Sequence, residues 1–205
     1  SEILLENENY REAVGYLEKL EKQASSEQNT IFAQSNLMKS YLELDQPGKA
    51  ANYADKVLAN SESDSEARND ARVIVARAAF ASGNMSKAKS AYSEVQKTAK
   101  GELAAEALYY DAYFKNESGN YEASNAAVQI LAKDFSGYKR WGAKGLVLMA
   151  DNFYELDDTY QATYILENVI KNFQNYPEIV QEAKQELSRI KTEAAKTNSS
   201  VEANN

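Results

Sequence analysis

Two groups of carboxylates are the side chains best placed for chemistry in this 205-residue sequence: the adjacent pair Asp157-Asp158 and the cluster Glu62, Asp64, Glu66. Paired carboxylates can divide acid and base roles, and clustered ones can hold a cation. Both groups fall in polar stretches between helical patterns, where an acid more commonly caps the helix that follows. The cluster also lacks the glycine and the ligand spacing of a calcium loop. Ser25-Ser26 and Ser199-Ser200 have no base to activate them. Histidine and cysteine are absent altogether. Thiolate nucleophiles, disulfides and Cys/His zinc sites are therefore excluded, as is proton transfer by imidazole. The eight glycines are scattered and form no phosphate-cradling loop. The sequence assigns no catalytic residue, cofactor site or metal site, and the chain is expected not to be an enzyme.

Charge narrows the partners. The net charge is −8, and residues 101–205 hold 16 acids against 10 bases while residues 1–100 hold 15 against 13. An acidic chain repels phosphate backbones and anionic lipid, so neither nucleic acid nor direct membrane insertion is expected. No stretch approaches the ~20 apolar residues of a membrane span.

The elements are helical. Two prolines and eight glycines are too few to punctuate a β-rich chain, and the common residues are good helix formers. Self-similarity appears five times as a polar turn followed by an alanine-centred helix, with anchors at Ala13, Ala50, Ala88, Ala123 and Ala162. Seven residues after each anchor stand Leu20, Val57, Val95, Ile130 and Val169. Nine before stand Tyr41, Ala79, Phe114 and Phe153; thirteen before, Leu37, Val75, Tyr110 and Met149. These offsets give each of two antiparallel helices an apolar stripe on a shared seam. Alanine at the anchor marks the closest approach, where a larger side chain would overpack. The pattern predicts helices near 9–24, 28–44, 47–60, 66–82, 85–99, 102–117, 120–135, 138–156 and 159–174. Asn84, Asn120 and Asp158 are read as helix caps, and Pro47 sits in a first turn.

An aromatic followed nine residues later by a small anchor, as in Tyr41–Ala50, Phe114–Ala123 and Phe153–Ala162, resembles the tetratricopeptide repeat (TPR). Three departures stand out: the period exceeds that family's 34 residues, Met38 and Asp111 occupy a position normally small, and the terminal prolines are mostly missing. The resemblance covers roughly residues 1–175. It implies an all-α, right-handed solenoid of antiparallel helix pairs: about four full pairs and a truncated first one. Residues 1–6 read as the tail of an earlier helix, so further repeats are expected before residue 1. An armadillo or HEAT-like array is the alternative stack.

Residues 176–196 are read as a C-terminal capping helix with the stripe Val180, Ala183, Leu187, Ile190 and Ala194. The same stripe could serve as a short seam for a homo-oligomer. Residues 197–205 are read as a disordered tail.

Aromatics crowd the second half, among them Tyr109, Tyr110, Tyr113, Trp141, Tyr154, Tyr160 and Tyr164. In proteins of the resembled family the concave groove is lined by first-helix residues off the packing stripe. By register these are Asn36, Lys39, Arg77, Phe80, Tyr109, Lys115, Asp151 and Tyr154. The expected function is a protein-interaction scaffold that holds a peptide or partner protein in that groove. The alternative is a structural or oligomerisation module using the last helix. The tyrosine- and asparagine-rich repeats are also similar to those of bacterial envelope repeat proteins, which implies a periplasmic or outer-membrane-associated setting.

Overall fold

The computed structural model describes the backbone of residues 2–202 and the side chains of residues 4–196. The described residues form eleven helices and no strand: α1 (Glu2–Glu6), α2 (Tyr10–Gln23), α3 (Glu27–Glu43), α4 (Pro47–Ala59), α5 (Ser65–Ala81), α6 (Met85–Thr98), α7 (Gly101–Asn116), α8 (Tyr121–Asp134), α9 (Lys139–Glu155), α10 (Thr159–Asn172) and α11 (Pro177–Glu202). The all-α class and the helix boundaries follow the sequence pattern closely. Helix α11 is assigned beyond 196, where the pattern ended it. The tail expected at 197–205 lies, in its side chains and its last three residues, outside the described part.

The chain divides into two compact units, Ser1–Ala99 and Lys100–Asn205. In the first, α2 to α6 pack each on the next, and α3 also touches α5. Its core joins Leu17, Leu37, Met38, Tyr41, Ala50 and Val57. The Tyr41 ring stacks on Tyr53 with centroids 5.7 Å apart, and its hydroxyl donates to Glu18 at 2.6 Å. In the second unit α7 to α11 pack in sequence, α7 also touches α9, and α9 touches α11.

One turn is used five times. A left-handed residue is followed by a helix cap, and the cap's backbone N–H reaches five residues back. The left-handed residues are Glu8, Asp45, Gly83, Gly119 and Asp157, with φ between 55° and 75°. Asn9, Gln46, Asn84, Asn120 and Asp158 donate to the carbonyls of Leu4, Tyr41, Ala79, Lys115 and Phe153 at 2.8–2.9 Å. This Schellman-like closure satisfies carbonyls that the first helix leaves open. Asn9, Asn84 and Asp158 also accept backbone N–H bonds through their side chains, as does Asp64 at the start of α5. Asn120 does not. Among the acids singled out above, Asp64 and Asp158 therefore cap helices, and Asp157 supplies a left-handed turn residue.

The turn corrects the repeat register. The anchor lies four residues after each cap at Ala13, Ala50, Ala88 and Ala162, all fully buried. Four after Asn120 is Ser124, also fully buried, whereas Ala123 is only half-buried. Ser124 donates its hydroxyl to the Ala112 carbonyl at 2.8 Å. Leu131 rather than Ile130 then fills the position seven on: Leu131 is fully buried and Ile130 is 48% exposed. Twelve before Ser124 stands Ala112, so the position that held Asp111 in the alanine-based alignment is small after all. Phe114 is buried, but Lys115 takes its place in the turn.

A left-handed conformation costs a residue with a Cβ about 1–2 kcal/mol, less for Asp. Asp157, at φ 62°, carries that strain. Asp157→Gly is expected to stabilise the chain by about 0.5–1 kcal/mol, read as a higher urea midpoint with unchanged slope.

Candidate functional site

Residues Tyr109 and Tyr113 on α7, Val147, Leu148 and Asp151 on α9, and Glu182 and Glu186 on α11 line a cleft of about 280 Å³ in the second unit. The first two helices supply equivalent rows. In the corrected register Tyr109 matches Val147, and Tyr113 matches Asp151. Asn116, also in the cleft wall, matches Tyr154. The rows meet through hydrogen bonds: Asn116 Nδ2 donates to Asp151 Oδ2 and to Asn152 Oδ1, both at 2.9 Å.

The third wall is α11. Its stripe Val180, Ala183 and Ile190 is buried, and so is Ile179; Leu187 packs on the same core as Leu166 and Val169. This orients Arg189 and Glu193 towards α9. Arg189 reaches Asp151 at 3.1 Å and Glu193 at 3.1 Å, and also pairs with Glu186. Its guanidinium lies 4.8 Å from the centroid of the Tyr154 ring, and the Tyr154 hydroxyl donates to Glu193 at 2.7 Å. The hydrogen bond to Glu186 and the surrounding acids hold the Arg189 guanidinium above its ordinary value, against the opposing effect of burial.

Behind the cleft, Lys144 places its ammonium 5.0 Å from the Tyr109 centroid and 5.4 Å from that of Trp141. Burial pulls this lysine below its usual value and Arg140 adds to the shift, while Glu182, Glu106 and Glu178 oppose it. Burial, and then the charge of Glu182, raises the Tyr109 hydroxyl.

The sequence-predicted groove residues divide between the units. Asn36, Lys39, Arg77 and Phe80 belong to the first. There Asn36 donates to the Phe32 carbonyl at 2.8 Å, and exposed Lys39 pairs with Asp70 of α5 at 2.5 Å. Arg77 and Phe80 are half-buried on α5. In the second unit the structure brings Asp151 and Tyr154 together beneath Arg189. Tyr109 is buried in the cleft wall with 8% of its surface exposed. Lys115 instead pairs with Asp111 one turn back on its own helix at 2.6 Å. The alanine-based register missed Tyr113 and Asn116. The four-residue step from cap to anchor, counted from Asn120, is the signal that finds them. Glu182, Glu186 and Arg189 had no such signal, because the last helix has no following partner to set its register.

Elsewhere, Tyr160 and Tyr164 on α10 are exposed and stacked, with centroids 6.4 Å apart. No described helix is long and apolar enough to cross a membrane.

No protein-family profile matches the chain, and no curated protein sequence matches it. Among solved structures it is similar to the crystal structure of MamA, with a TM-score of 0.64 at 13% identity, over 85% of this chain and 95% of that one. MamA is a TPR-like helical protein. The likeness, together with consecutive antiparallel pairs in each unit, shows an all-helical, TPR-like fold.

Proposed function

We propose that the chain is a protein-interaction scaffold that binds an extended segment of a partner along first-helix residues. The observation that carries this reading is the cleft between α7, α9 and α11, where α7 supplies a row of aromatic and amide side chains, Tyr109, Tyr113 and Asn116, and equivalent positions of α9 supply Val147 and Asp151. Such rows suit a peptide: tyrosine offers apolar area with a polar tip at low entropy cost, and amides satisfy a backbone. In the first unit Asn36, Lys39, Arg77 and Phe80 take the corresponding role. In the second the role falls to Tyr113, Asn116, Asp151 and Tyr154, with Tyr109 as the cleft wall and Lys115 at its edge. The mechanism is recognition without bond chemistry.

Helix α11 bounds this cleft on one side. Val180, Ala183 and Ile190 of its apolar stripe are buried where α11 packs on the chain's own α9 and α10, so a self-association seam on those residues would require α11 to leave its place. For this reason the scaffold reading is preferred to the oligomerisation module.

Capture from a lysate by the immobilised chain tests the proposal. Tyr109→Ala is unsuitable because that ring is buried. We would use Tyr113→Ala/Asn116→Ala for the second unit and Lys39→Glu/Arg77→Glu for the first. A partner held by the wild type should be lost from one of these variants with circular dichroism unchanged. Equal capture by all three proteins would defeat the groove reading and move recognition to another surface, such as that of Tyr160 and Tyr164. A second expectation concerns Arg189→Gln. It removes the guanidinium from Asp151 and Tyr154, and should strengthen capture of a basic partner several-fold by releasing the Asp151 carboxylate. Unchanged capture would mean that Asp151 is not a contact.

A further inference from the structure

A second cavity, of about 370 Å³, lies apart from the cleft, where the ends of α8 and α10 meet the starts of α9 and α11. Its walls come from one motif used twice. Phe135 and Tyr138 close the turn from α8 to α9, and Phe173 and Tyr176 close the turn from α10 to α11. The two pairs are 38 residues apart, the same step that separates Ser124 from Ala162. In each, the tyrosine N–H donates to the phenylalanine carbonyl at 2.9 Å, which closes the turn. All four residues are half-buried and line the cavity.

The floor is open at Gly142. A Cβ built there meets nothing within 4 Å, although the residue sits in the second turn of α9 and a side chain would favour the helix. Glycine is thus not required there by packing. What it leaves is space.

The rim has a charge. Lys139 lines the cavity, is exposed and makes no ion pair among the described residues. The other polar groups of the lining are the amides of Asn172 and Asn175 and the hydroxyls of Ser136, Tyr138 and Tyr176, and no acid lines it, in a chain that carries 31 acids. The volume falls at the lower end of the range of about 300–1,000 Å³ typical of small-ligand sites, which are aromatic-walled with a few placed polar groups.

We infer that this cavity binds an aromatic ring system bearing one carboxylate, with the rings stacked among Phe135, Tyr138, Phe173 and Tyr176 over Gly142 and the carboxylate facing Lys139. Such a group exists as a free aromatic acid or as an aromatic residue beside an acid in a partner chain. The inference does not depend on the peptide cleft.

The test is titration of the ¹⁵N-labelled chain with N-acetyl-tryptophan, with its uncharged amide, and with a blocked Gly-Trp-Asp-Gly peptide. Saturable shifts are expected at the amides of Tyr138, Gly142 and Tyr176, with the uncharged amide binding about threefold more weakly than the acid. Gly142→Leu fills the cavity and should weaken binding at least tenfold while keeping or raising thermal stability. Lys139→Glu, a surface change that leaves packing intact, should weaken the acid but not the uncharged amide. Tighter binding of the peptide than of the free acid would assign the occupant to a partner chain, and the reverse order to a free ligand; either supports the site. Absence of saturable shifts, shifts unaltered by Gly142→Leu, or equal affinity for acid and amide in the wild type would overturn it.

Discussion

Gly145→Leu in α9 is expected to destabilise the chain by about 2–3 kcal/mol, the largest effect of any single glycine replacement here. A Cβ at Gly145 would stand 3.1 Å from Leu131 Cδ2 and 3.1 Å from Val128 Cγ1. Both neighbours are fully buried, so neither can swing into solvent, and three further carbons would have to drive α8 and α9 apart. The measurement is urea unfolding followed by circular dichroism. Gly145→Ala separates the contact from general helix effects. Its single carbon requires the two side chains to yield only a few tenths of an ångström, and the gain in helix propensity offsets part of that cost. Gly142→Ala, three residues earlier and facing open space, should instead stabilise by about 0.5–1 kcal/mol. If Gly145→Leu were as mild as Gly142→Ala, the close approach of α8 and α9 would be wrong.

Asn152→Leu is expected to cost about 2–4 kcal/mol through hydrogen bonding. Asn152 is fully buried and joins three helices. Its amide nitrogen donates to Ser124 Oγ at 2.9 Å and to Asn125 Oδ1 at 2.8 Å, and its oxygen accepts from Asn116 Nδ2 at 2.9 Å. Leucine would leave the Asn125 oxygen without this donor inside the core, and would take from Asn116 one of its two acceptors. Ser124 keeps its own bond to the Ala112 carbonyl. The cost therefore arises mainly from desolvated groups left unpaired, and a double-mutant cycle exposes it. Asn152→Leu combined with Asn125→Leu should be less destabilising than the sum of the two single changes, because each removes the other's orphan. Additive effects would show that the pair is not coupled. The network also sets the Asn116 amide beside Asp151 in the cleft wall, so its loss should loosen that wall before the chain unfolds.

Of the candidate cleft, Tyr109 and Asp151 are legible in the residues, and the departures on α7 have one origin. The anchor at Ala162 is unambiguous, so the register places Asp151 and Tyr154 off the packing stripe, and in the structure both contact Arg189. The register of α7 is counted from α8, where the string Glu122-Ala123-Ser124-Asn125-Ala126-Ala127 offers several small residues, and alanine identity favours Ala123. A buried serine serves equally well where a carbonyl is in reach, and Ala112 provides one. The one-residue difference rotates the inferred face of α7 by about 100°, which puts Asn116 where Lys115 was placed and Tyr113 at the position that matches Asp151, while Tyr109 stays in the cleft wall. The paired Phe-x-x-Tyr turns leave no mark in the repeat pattern for another reason. Helical periodicity weighs the interiors of helices, and these rings sit at their ends.

The sequence by itself determined the helices, the turns, the alternation of first and second helices and the absence of thiol or imidazole chemistry. These depend on residue type and short spacing, which fix local propensity, capping and the apolar stripe. Only the tertiary structure decided which small residue sits at the α7–α8 crossing, that α11 sends Arg189 and Glu193 over Asp151 and Tyr154, and that Gly142 opens onto a cavity where Gly145 meets a neighbour. Each of those depends on the side chains another helix brings to within a few ångströms, and contacts between segments far apart in the chain leave no period in the sequence.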